Sequence, residues 1–198
     1  MLTPAYFGSV SRYAVMARYG RIYIDAEGRF DKRFKSAHRM SVADVNGPMQ
    51  LTLPICKPES LSRARWCDIS LSSHGEWWHV HRVALESAYG RTPFFEFYID
   101  RFLPFLNRDV PDRFSSLAEI DMAVEREICS ILYLPEPLAG GAPEDADRLL
   151  KTDSFDCRTI PYYQVRSAQF GFLPGLSVLD LIFNMGPESA QVIRDMCR

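Results

Sequence analysis

The sequence predicts an α/β or α+β fold in which a small mixed sheet packs against a mostly helical C-terminal half. Three observations support this. Strand and helix patterns alternate near the N-terminus, an Asn-Gly pair separates two strand-like runs, and apolar residues at helical spacing dominate from residue 73 onward. At 198 residues the chain fits one domain, sheet-rich over 1–72 and helical over 73–198, with a loop at 135–143.

The N-terminal segment predicts a compact βαβ unit. Residues 2–7 and 21–25 have the pattern of short strands, and a helix capped by Ser9 or Ser11 and ended by Gly20 lies between them. A crossover of this length is near the short limit for two parallel strands. The N-terminal block together with the hairpin that follows it therefore accounts for the mixed sheet.

Three residues stand at the carboxyl ends of the two predicted strands. They are Tyr6, Phe7 and Asp25. Ligands of open α/β sheets bind at this edge, so these residues are candidates for a binding site.

A hairpin follows the βαβ unit. Residues 40–45 and 48–55 flank Asn46 and Gly47, a pair that favours a type I′ turn. A further short strand is predicted at residues 66–71. These strands complete the sheet-rich part of the chain.

Helical signals begin at residue 73. Ser73 and Glu76 form a capping-box pattern that predicts the start of a helix, which Gly90 ends. A second helix, capped by Thr92, carries an aromatic stripe, and Pro104 should kink or end this helix. The simplest interpretation of the aromatic stripe is packing in the core.

A second capping box opens a regular amphipathic helix. Ser116 and Glu119 form this box, and the helix runs to Leu134. The remaining predicted elements follow the loop at 135–143. They are a short helix at 144–151, a strand at 162–165, a buried helix at 177–185 and a last helix to Cys197.

Two polar residues lie within the most apolar predicted helix. Asp180 and Asn184 are one turn apart and share a face. Polar groups in apolar surroundings need partners, so they either brace the preceding loop or line a site.

His81 lies on the apolar side of the helix that starts near Ser73, at helical spacing from Trp77 and Trp78. Desolvation there lowers the pKa of the imidazole and keeps it neutral. It therefore suits either a general base or a core histidine with both nitrogens hydrogen-bonded. His79 is two residues away and points elsewhere, so no metal site is predicted.

The segment 29–39 is strongly basic within an acidic protein. Its cations are Arg29, Lys32, Arg33, Lys35 and Arg39, and they face one acid, Asp31. This pattern favours either an anion site, since arginine matches phosphate oxygens, or a solvated charged loop.

The composition indicates which kinds of binding partner and which cellular compartment to expect. A net charge of −2 argues against nucleic acid, and no apolar run approaches the length of a membrane span. Five cysteines without a CxxC spacing indicate reduced thiols in the cytoplasm, and Cys67 is the best placed of them for covalent chemistry. No cofactor is predicted. The sequence contains no GxSxG, P-loop, GxGxxG or HExxH motif, which keeps a non-catalytic role open.

Four blocks in order make the chain similar to the WbqC-like family of bacterial proteins. The blocks are T-P-A-Y-F-G-S-V-S-R-Y with R-I-Y-I-D; R-F-D-K-R-F-K-S-A-H-R with N-G-P-M-Q-L-T-L-P-I; W-W-H-V-H-R-V-A-L-E-S-A-Y-G-R-T-P-F-F-E-F-Y; and Y-Y-Q-V with G-F-L-P-G-L-S-V-L-D-L-I-F-N-M-G-P-E-S. On this match the histidine of the family pattern is His81. The chain departs from the pattern at Thr3, at residues 37–39 and at Gly175.

The resemblance implies a role in O-antigen or related surface-polysaccharide biosynthesis. The reaction it suggests is aminoacyl or other acyl transfer onto an amino sugar or sugar nucleotide. The alternative is a non-catalytic binding or scaffolding protein of polysaccharide assembly.

A transferase hypothesis assigns a role to each candidate residue. Lys32, Arg33, Lys35 and Arg39 would hold the diphosphate, and His81 would take the proton of the attacking amine. Further candidates would orient the base or line the substrate site. Either Asp25 or Asp180 would orient His81, either Tyr89 or Tyr6 would face the carbonyl, and Asn184 would contact the substrate. The hypothesis requires that His81 and residues 32–39 face one cavity.

Overall fold

The computed structural model describes residues 1–58, 60, 63–140, 155 and 157–197. Over these residues the fold is mixed α/β, with two small sheets and with most helices in the C-terminal half, as the sequence predicts. The described strands are β1 (Tyr23–Ile24), β2 (Arg39–Asp44), β3 (Gly47–Thr52) and β4 (Leu138–Ala139). The described α-helices are α1 (Val10–Tyr19), α2 (Trp77–Tyr89), α3 (Phe95–Phe102), α4 (Val110–Arg113), α5 (Leu117–Ile131), α6 (Ser167–Phe170), α7 (Val178–Met185) and α8 (Ser189–Met196).

β1 is the middle of a small parallel arrangement. Leu2 makes one parallel bridge to Ile24, and β1 pairs in parallel with β4, with Tyr23 opposite Leu138. Because α1 joins Leu2 to β1, the predicted βαβ unit is present in minimal form. Its first strand is a single paired residue rather than residues 2–7. β4 lies inside the predicted loop, where the sequence carries no strand signal.

The predicted hairpin is formed by β2 and β3, but its turn is displaced by one residue. Asp44 lies opposite Gly47, so Val45 and Asn46 are the loop residues. Both have negative φ and Gly47 has φ +110°, whereas a type I′ turn needs positive φ at both loop residues. The hairpin forms a sheet of its own. The predicted mixed sheet is therefore two separate sheets.

α7 runs through the core. Residues 178–184 are all buried. The Phe183 ring lies 5.4 Å from that of Tyr89, 5.0 Å from that of Phe95 and 5.9 Å from that of Phe102. These contacts confirm that the aromatic stripe of α3 packs in the core. At the other end of α7, the Ser177 amide donates to the Ser41 carbonyl at 2.8 Å, which holds the N-terminus of the helix beside the hairpin.

The two capping-box patterns behave differently. Ser116 caps α5 by accepting a hydrogen bond from the Glu119 amide at 3.3 Å. α2 instead begins at Trp77 and has no side-chain cap. Gly75 has φ +74°, which turns the chain just before the helix and leaves Ser73 outside it. The prediction of a helix start at Ser73 is therefore wrong.

Three other local predictions also differ. The Thr92 hydroxyl donates to the Tyr89 carbonyl at 2.6 Å, so it closes α2 rather than capping α3. The segment Trp66–Asp68 is a 3-10 turn instead of a strand. Residues 162–165 belong to no strand, and the helix predicted at 144–151 lies outside the described residues. None of the described helices has the length and apolar character to cross a bilayer.

Candidate anion-binding site

A cavity of about 180 Å³ lies where the basic segment, the hairpin and the N-termini of α1 and α7 converge. The 3-10 turn Lys35–Ala37 leads into β2, which brings Lys35 and Arg39 to the same cavity wall. Gln50 on β3 lies at its exposed side. We refer to this space as the basic cavity.

Two helix N-termini meet at the basic cavity. The Val10 amide donates to the Leu176 carbonyl at 3.1 Å, and the Val178 amide donates to the Gly8 carbonyl at 2.9 Å. These bonds place Ser9, just before α1, opposite Ser177, just before α7. Helix N-termini carry partial positive charge, so both helices favour an anion here.

Three side-chain cations line the basic cavity. Lys35 and Arg39 stand at its wall, and Arg12 of α1 is at its floor with 2% of its surface exposed. The Nε of Arg39 is buried without a hydrogen-bond partner among the described residues. No Asp or Glu is among the described lining residues. The wall therefore offers donors and positive charge.

Arg12 is fixed by a buried ion pair. Its Nε donates to Glu125 Oε1 at 2.8 Å and its Nη2 donates to the Thr3 carbonyl at 2.8 Å. The Tyr13 hydroxyl donates to the same carboxylate oxygen at 3.1 Å. Burial raises the pKa of Glu125, and Arg12 opposes that rise. Glu125 is thus the counter-ion that holds the guanidinium in place.

A second buried carboxyl lies one turn earlier on α5. Asp121 is fully buried, and neither of its side-chain oxygens has a partner among the described residues. Burial raises its pKa well above the usual range, and the charge of Glu125 adds to the rise. Burial therefore favours the neutral form of Asp121, and Glu125 is the carboxyl that forms the ion pair with Arg12.

Phe7 lines the basic cavity in a strained backbone conformation. Its φ is +46°, a left-handed value that is rare for a bulky residue and costs about 1–3 kcal/mol. The ring is buried and packs edge-on against Tyr6 at 4.8 Å and Phe102 at 5.8 Å. This packing stabilises the turn that carries the chain from Leu2 into α1, and it shapes the cavity floor.

His81 does not share this cavity with the basic segment. It is 2% exposed, and its Nε2 lies 3.2 Å from the Thr52 carbonyl, which can only accept. The Nε2–H therefore donates there, and Nδ1 accepts from the Tyr6 hydroxyl at 3.1 Å. Burial lowers the pKa of His81 to about 4. This is the geometry of a core histidine, and Tyr6 is its fully buried partner.

The basic segment divides into two groups. Lys35 and Arg39 face the basic cavity, whereas Lys32 and Arg33 are exposed and do not line it. The Arg33 guanidinium donates to Asp31 on the surface, and this pairing lowers the pKa of Asp31 to about 2. The solvated-loop interpretation thus describes one part of the segment, and the anion-site interpretation describes the other.

In the described part of the chain, Asp25, Tyr89 and Asp180 do not line the basic cavity, and the hydrogen bonds of His81 go to Tyr6 and Thr52 instead. Asp25 is half-buried against the backbone at Gly28. The Tyr89 hydroxyl accepts from the Ala43 amide at 3.0 Å and is hydrogen-bonded to Asp180.

Asp180 and Asn184 hold the extended segment 162–165 against α7. Asp180 Oδ2 accepts from the Tyr162 hydroxyl at 2.7 Å and from Gln164 Nε2 at 2.8 Å. Asn184 Oδ1 accepts from the Val165 amide at 2.9 Å. These bonds correspond to the bracing interpretation, and they explain how the segment is ordered without a strand partner.

Cys67 has a raised rather than a lowered pKa. Partial burial is the main cause, and the nearby carboxylate of Glu27 adds to it. A nucleophilic cysteine needs the opposite shift. In the part of the chain that the structure describes, no group of three or more His, Cys, Asp or Glu side chains is placed to hold a metal ion.

Sequence reasoning missed Arg12, Ser9 and Ser177 as lining residues. A signal for Arg12 exists, because Val15 and Met16 follow it at helical spacing and place it on an apolar face. A buried arginine needs an acid partner, and Glu125 sits in a similar apolar setting on α5. The convergence of Ser9 and Ser177 depends on tertiary contacts and has no local signal.

The fold and the cavity together define a mixed α/β protein with a candidate site for a small anion. The WbqC-like protein family matches residues 21–141, more than half of the chain, so the chain belongs to this family. No curated protein and no solved structure matches the chain. The matched residues include Lys35 and Arg39, whereas Arg12 lies outside them.

Proposed function

We propose that this protein binds a phosphate-bearing small molecule of surface-polysaccharide biosynthesis in the basic cavity. The observation that carries the proposal is the set of three cations, Arg12, Lys35 and Arg39, around one cavity without a lining acid among the described residues. Sugar nucleotides and phosphorylated amino sugars, the ligand classes suggested by the family resemblance, both carry such an anion.

The physical basis is charge and donor geometry. The buried Nε of Arg39 has no hydrogen-bond partner among the described residues, so it can donate to an anion, and Glu125 holds the guanidinium of Arg12 at the cavity. Guanidinium groups match phosphate oxygens in pairs, and the N-termini of α1 and α7 add partial positive charge. A phosphate ion tests this most directly, because it presents the shared chemistry alone.

Binding of inorganic phosphate should depend on the cavity cations. Arg39→Ala and Lys35→Ala should each weaken binding about tenfold, the cost of losing one hydrogen bond to a charged group. The measurement is isothermal titration of the full-length protein at constant ionic strength. Arg33→Ala is the matched control, because Arg33 belongs to the same segment but pairs with Asp31 on the surface.

Two results would overturn the proposal. One is the absence of saturable phosphate binding to the folded wild type. The other is an Arg33→Ala variant that loses as much affinity as Arg39→Ala, since general surface charge would then explain the binding.

Acyl or aminoacyl transfer onto an amino sugar is the second candidate. It is favoured by the exposed side of the cavity, at Lys35, Gln50 and Gly175, where an acceptor can lie against a bound donor. In this reaction His81 would support the hairpin through the Thr52 carbonyl, rather than move a proton. Transfer from an aminoacyl donor to a hexosamine phosphate that is lost in Arg39→Ala would favour this candidate over binding alone.

A further inference from the structure

We infer that the basic cavity takes a terminal phosphate monoester, phosphate end first, and that Arg12 at the floor reads its second negative charge. The inference deepens the proposed function and rests on it. It selects a sugar phosphate over a sugar nucleotide, in which the diphosphate is internal.

The burial of its lining residues distinguishes a floor from a mouth in the basic cavity. Six of its lining residues are buried and form the floor, namely Ala5, Phe7, Gly8, Arg12, Met40 and Ser177. Lys35, Gln50 and Gly175 are exposed and mark the mouth. A ligand therefore enters at the exposed residues and ends against Arg12.

The size of the cavity limits what reaches the floor. Its volume of about 180 Å³ is below the ~300–1,000 Å³ typical of sites that enclose a whole ligand. The cavity therefore holds the anionic end of a molecule, and the rest lies at the mouth. The half-buried ring of Phe155 and the amide of Gln50 are the lining groups available to that organic part.

A closed floor discriminates between the two kinds of phosphate. A monoester has one substituent, which leaves through the mouth. The diphosphate of a sugar nucleotide has a substituent on each side, so one of them would have to pass the buried floor. A monoester also carries close to two negative charges on one phosphorus above its second pKa of about 6, whereas each phosphate of the diphosphate carries one.

Arg12 is placed to recognise that second charge. Its guanidinium is held by Glu125 and the Thr3 carbonyl, so it is oriented before a ligand binds. Gly8 leaves room for its stem, because a Cβ at Gly8 would lie 2.5 Å from Arg12 Cδ. Gly8→Ala therefore displaces Arg12 without removing its charge.

The test compares glucose 1-phosphate with uridine diphosphate glucose by isothermal titration of the full-length protein. At pH 7.5 glucose 1-phosphate should bind at least about tenfold more tightly, the effect of one charge-assisted hydrogen bond. The ratio should fall toward pH 5, where the monoester gains a proton. The described cavity lining carries no Asp, Glu or His, and Glu125 behind Arg12 would affect both ligands.

Variants of Arg12 and Gly8 test whether Arg12 is responsible for the preference for glucose 1-phosphate over uridine diphosphate glucose. Arg12→Lys and Gly8→Ala should each reduce the preference for glucose 1-phosphate, while Arg33→Ala preserves it. The comparison of ligands on the wild type decides the matter even if the Arg12 variant fails to fold.

The outcomes separate this inference from the proposed function. Equal or tighter binding of uridine diphosphate glucose, lost in Arg39→Ala, would refute the terminal monoester and leave the proposed function standing. A preference that does not change between pH 7.5 and pH 5 would refute the role of the second charge. If neither compound binds the folded protein, the proposed function fails as well.

Discussion

At the scale of single residues, His81 makes the stability of the fold depend on pH, because its pKa differs between the folded and the unfolded protein. The imidazole is buried between the Tyr6 hydroxyl and the Thr52 carbonyl, and burial lowers its pKa to about 4. In the unfolded chain a histidine has a pKa of about 6.5. The unfolded state therefore takes up a proton first as the pH falls, and stability that is complete above pH 6.5 is lost toward pH 4.

We expect His81 to account for about 2 kcal/mol of stability lost between pH 7 and pH 4.5. Urea unfolding of the wild type and of His81→Gln at both pH values measures it. The wild type should lose about 2 kcal/mol more than the variant, because other titrating groups act equally on both. Parallel losses would mean that the buried ring carries a proton in the folded protein.

The sequence could predict that His81 lies in apolar surroundings, but not whether its ring faces a ligand site or the protein interior. Helical spacing from Trp77 and Trp78 correctly places it on the apolar side of α2. Whether a desolvated histidine meets a ligand or the protein interior depends on what packs against it. Here that is Tyr6 and Thr52, both distant in sequence, so no local pattern distinguishes the two interpretations.

At the scale of the element, two similar capping patterns give opposite outcomes. Ser116 accepts from the Glu119 amide and caps α5, whereas Ser73 lies outside α2. Ser116→Ala should lower the free energy of unfolding by about 1 kcal/mol, the usual value of an N-cap. Ser73→Ala, the matched control, should change it by less than about 0.5 kcal/mol.

Urea denaturation at pH 7 measures both changes. Equal losses in the two serine variants would contradict the assignment, since the cap hydrogen bond would then make no difference. Circular dichroism at low urea checks that neither substitution shortens other helices.

Elements whose signals are local are the ones that the sequence predicts well. α5 and α7 have caps and apolar periodicity within their own residues, and both form close to the predicted bounds. β1 and β4 pair across distant parts of the chain, and residues 162–165 are held by side chains of α7. These features arise from tertiary contacts, so local propensity and periodicity in the sequence do not predict them.

At the scale of the whole molecule, the family match and the candidate site do not cover the same residues. The match spans residues 21–141, which contain the hairpin wall of the basic cavity. Most of its floor comes from residues 5–12 and from Ser177, which lie outside the match. The Arg12–Glu125 pair joins the two parts, because Arg12 belongs to α1 and Glu125 to α5.

Glu125→Ala should therefore be costly for the whole fold. It leaves the guanidinium of Arg12 buried without its counter-ion, and breaking a buried pair costs about 3–5 kcal/mol. Glu127→Ala is the matched control, two residues along the same helix. Glu127 pairs with Arg101 at the surface, where the side chains are 27% and 39% exposed, so its loss should cost less than about 1 kcal/mol.

Urea unfolding at pH 7 distinguishes the two glutamates, and phosphate titration of the folded variants extends the comparison to the site. Because Arg12 loses its anchor in Glu125→Ala, phosphate binding should weaken even where the protein remains folded, and it should be unchanged in Glu127→Ala. Similar free energies of unfolding for the two variants would mean that the Arg12–Glu125 ion pair contributes little to stability. The connection between α1 and the family-matched residues would then rest on apolar packing alone.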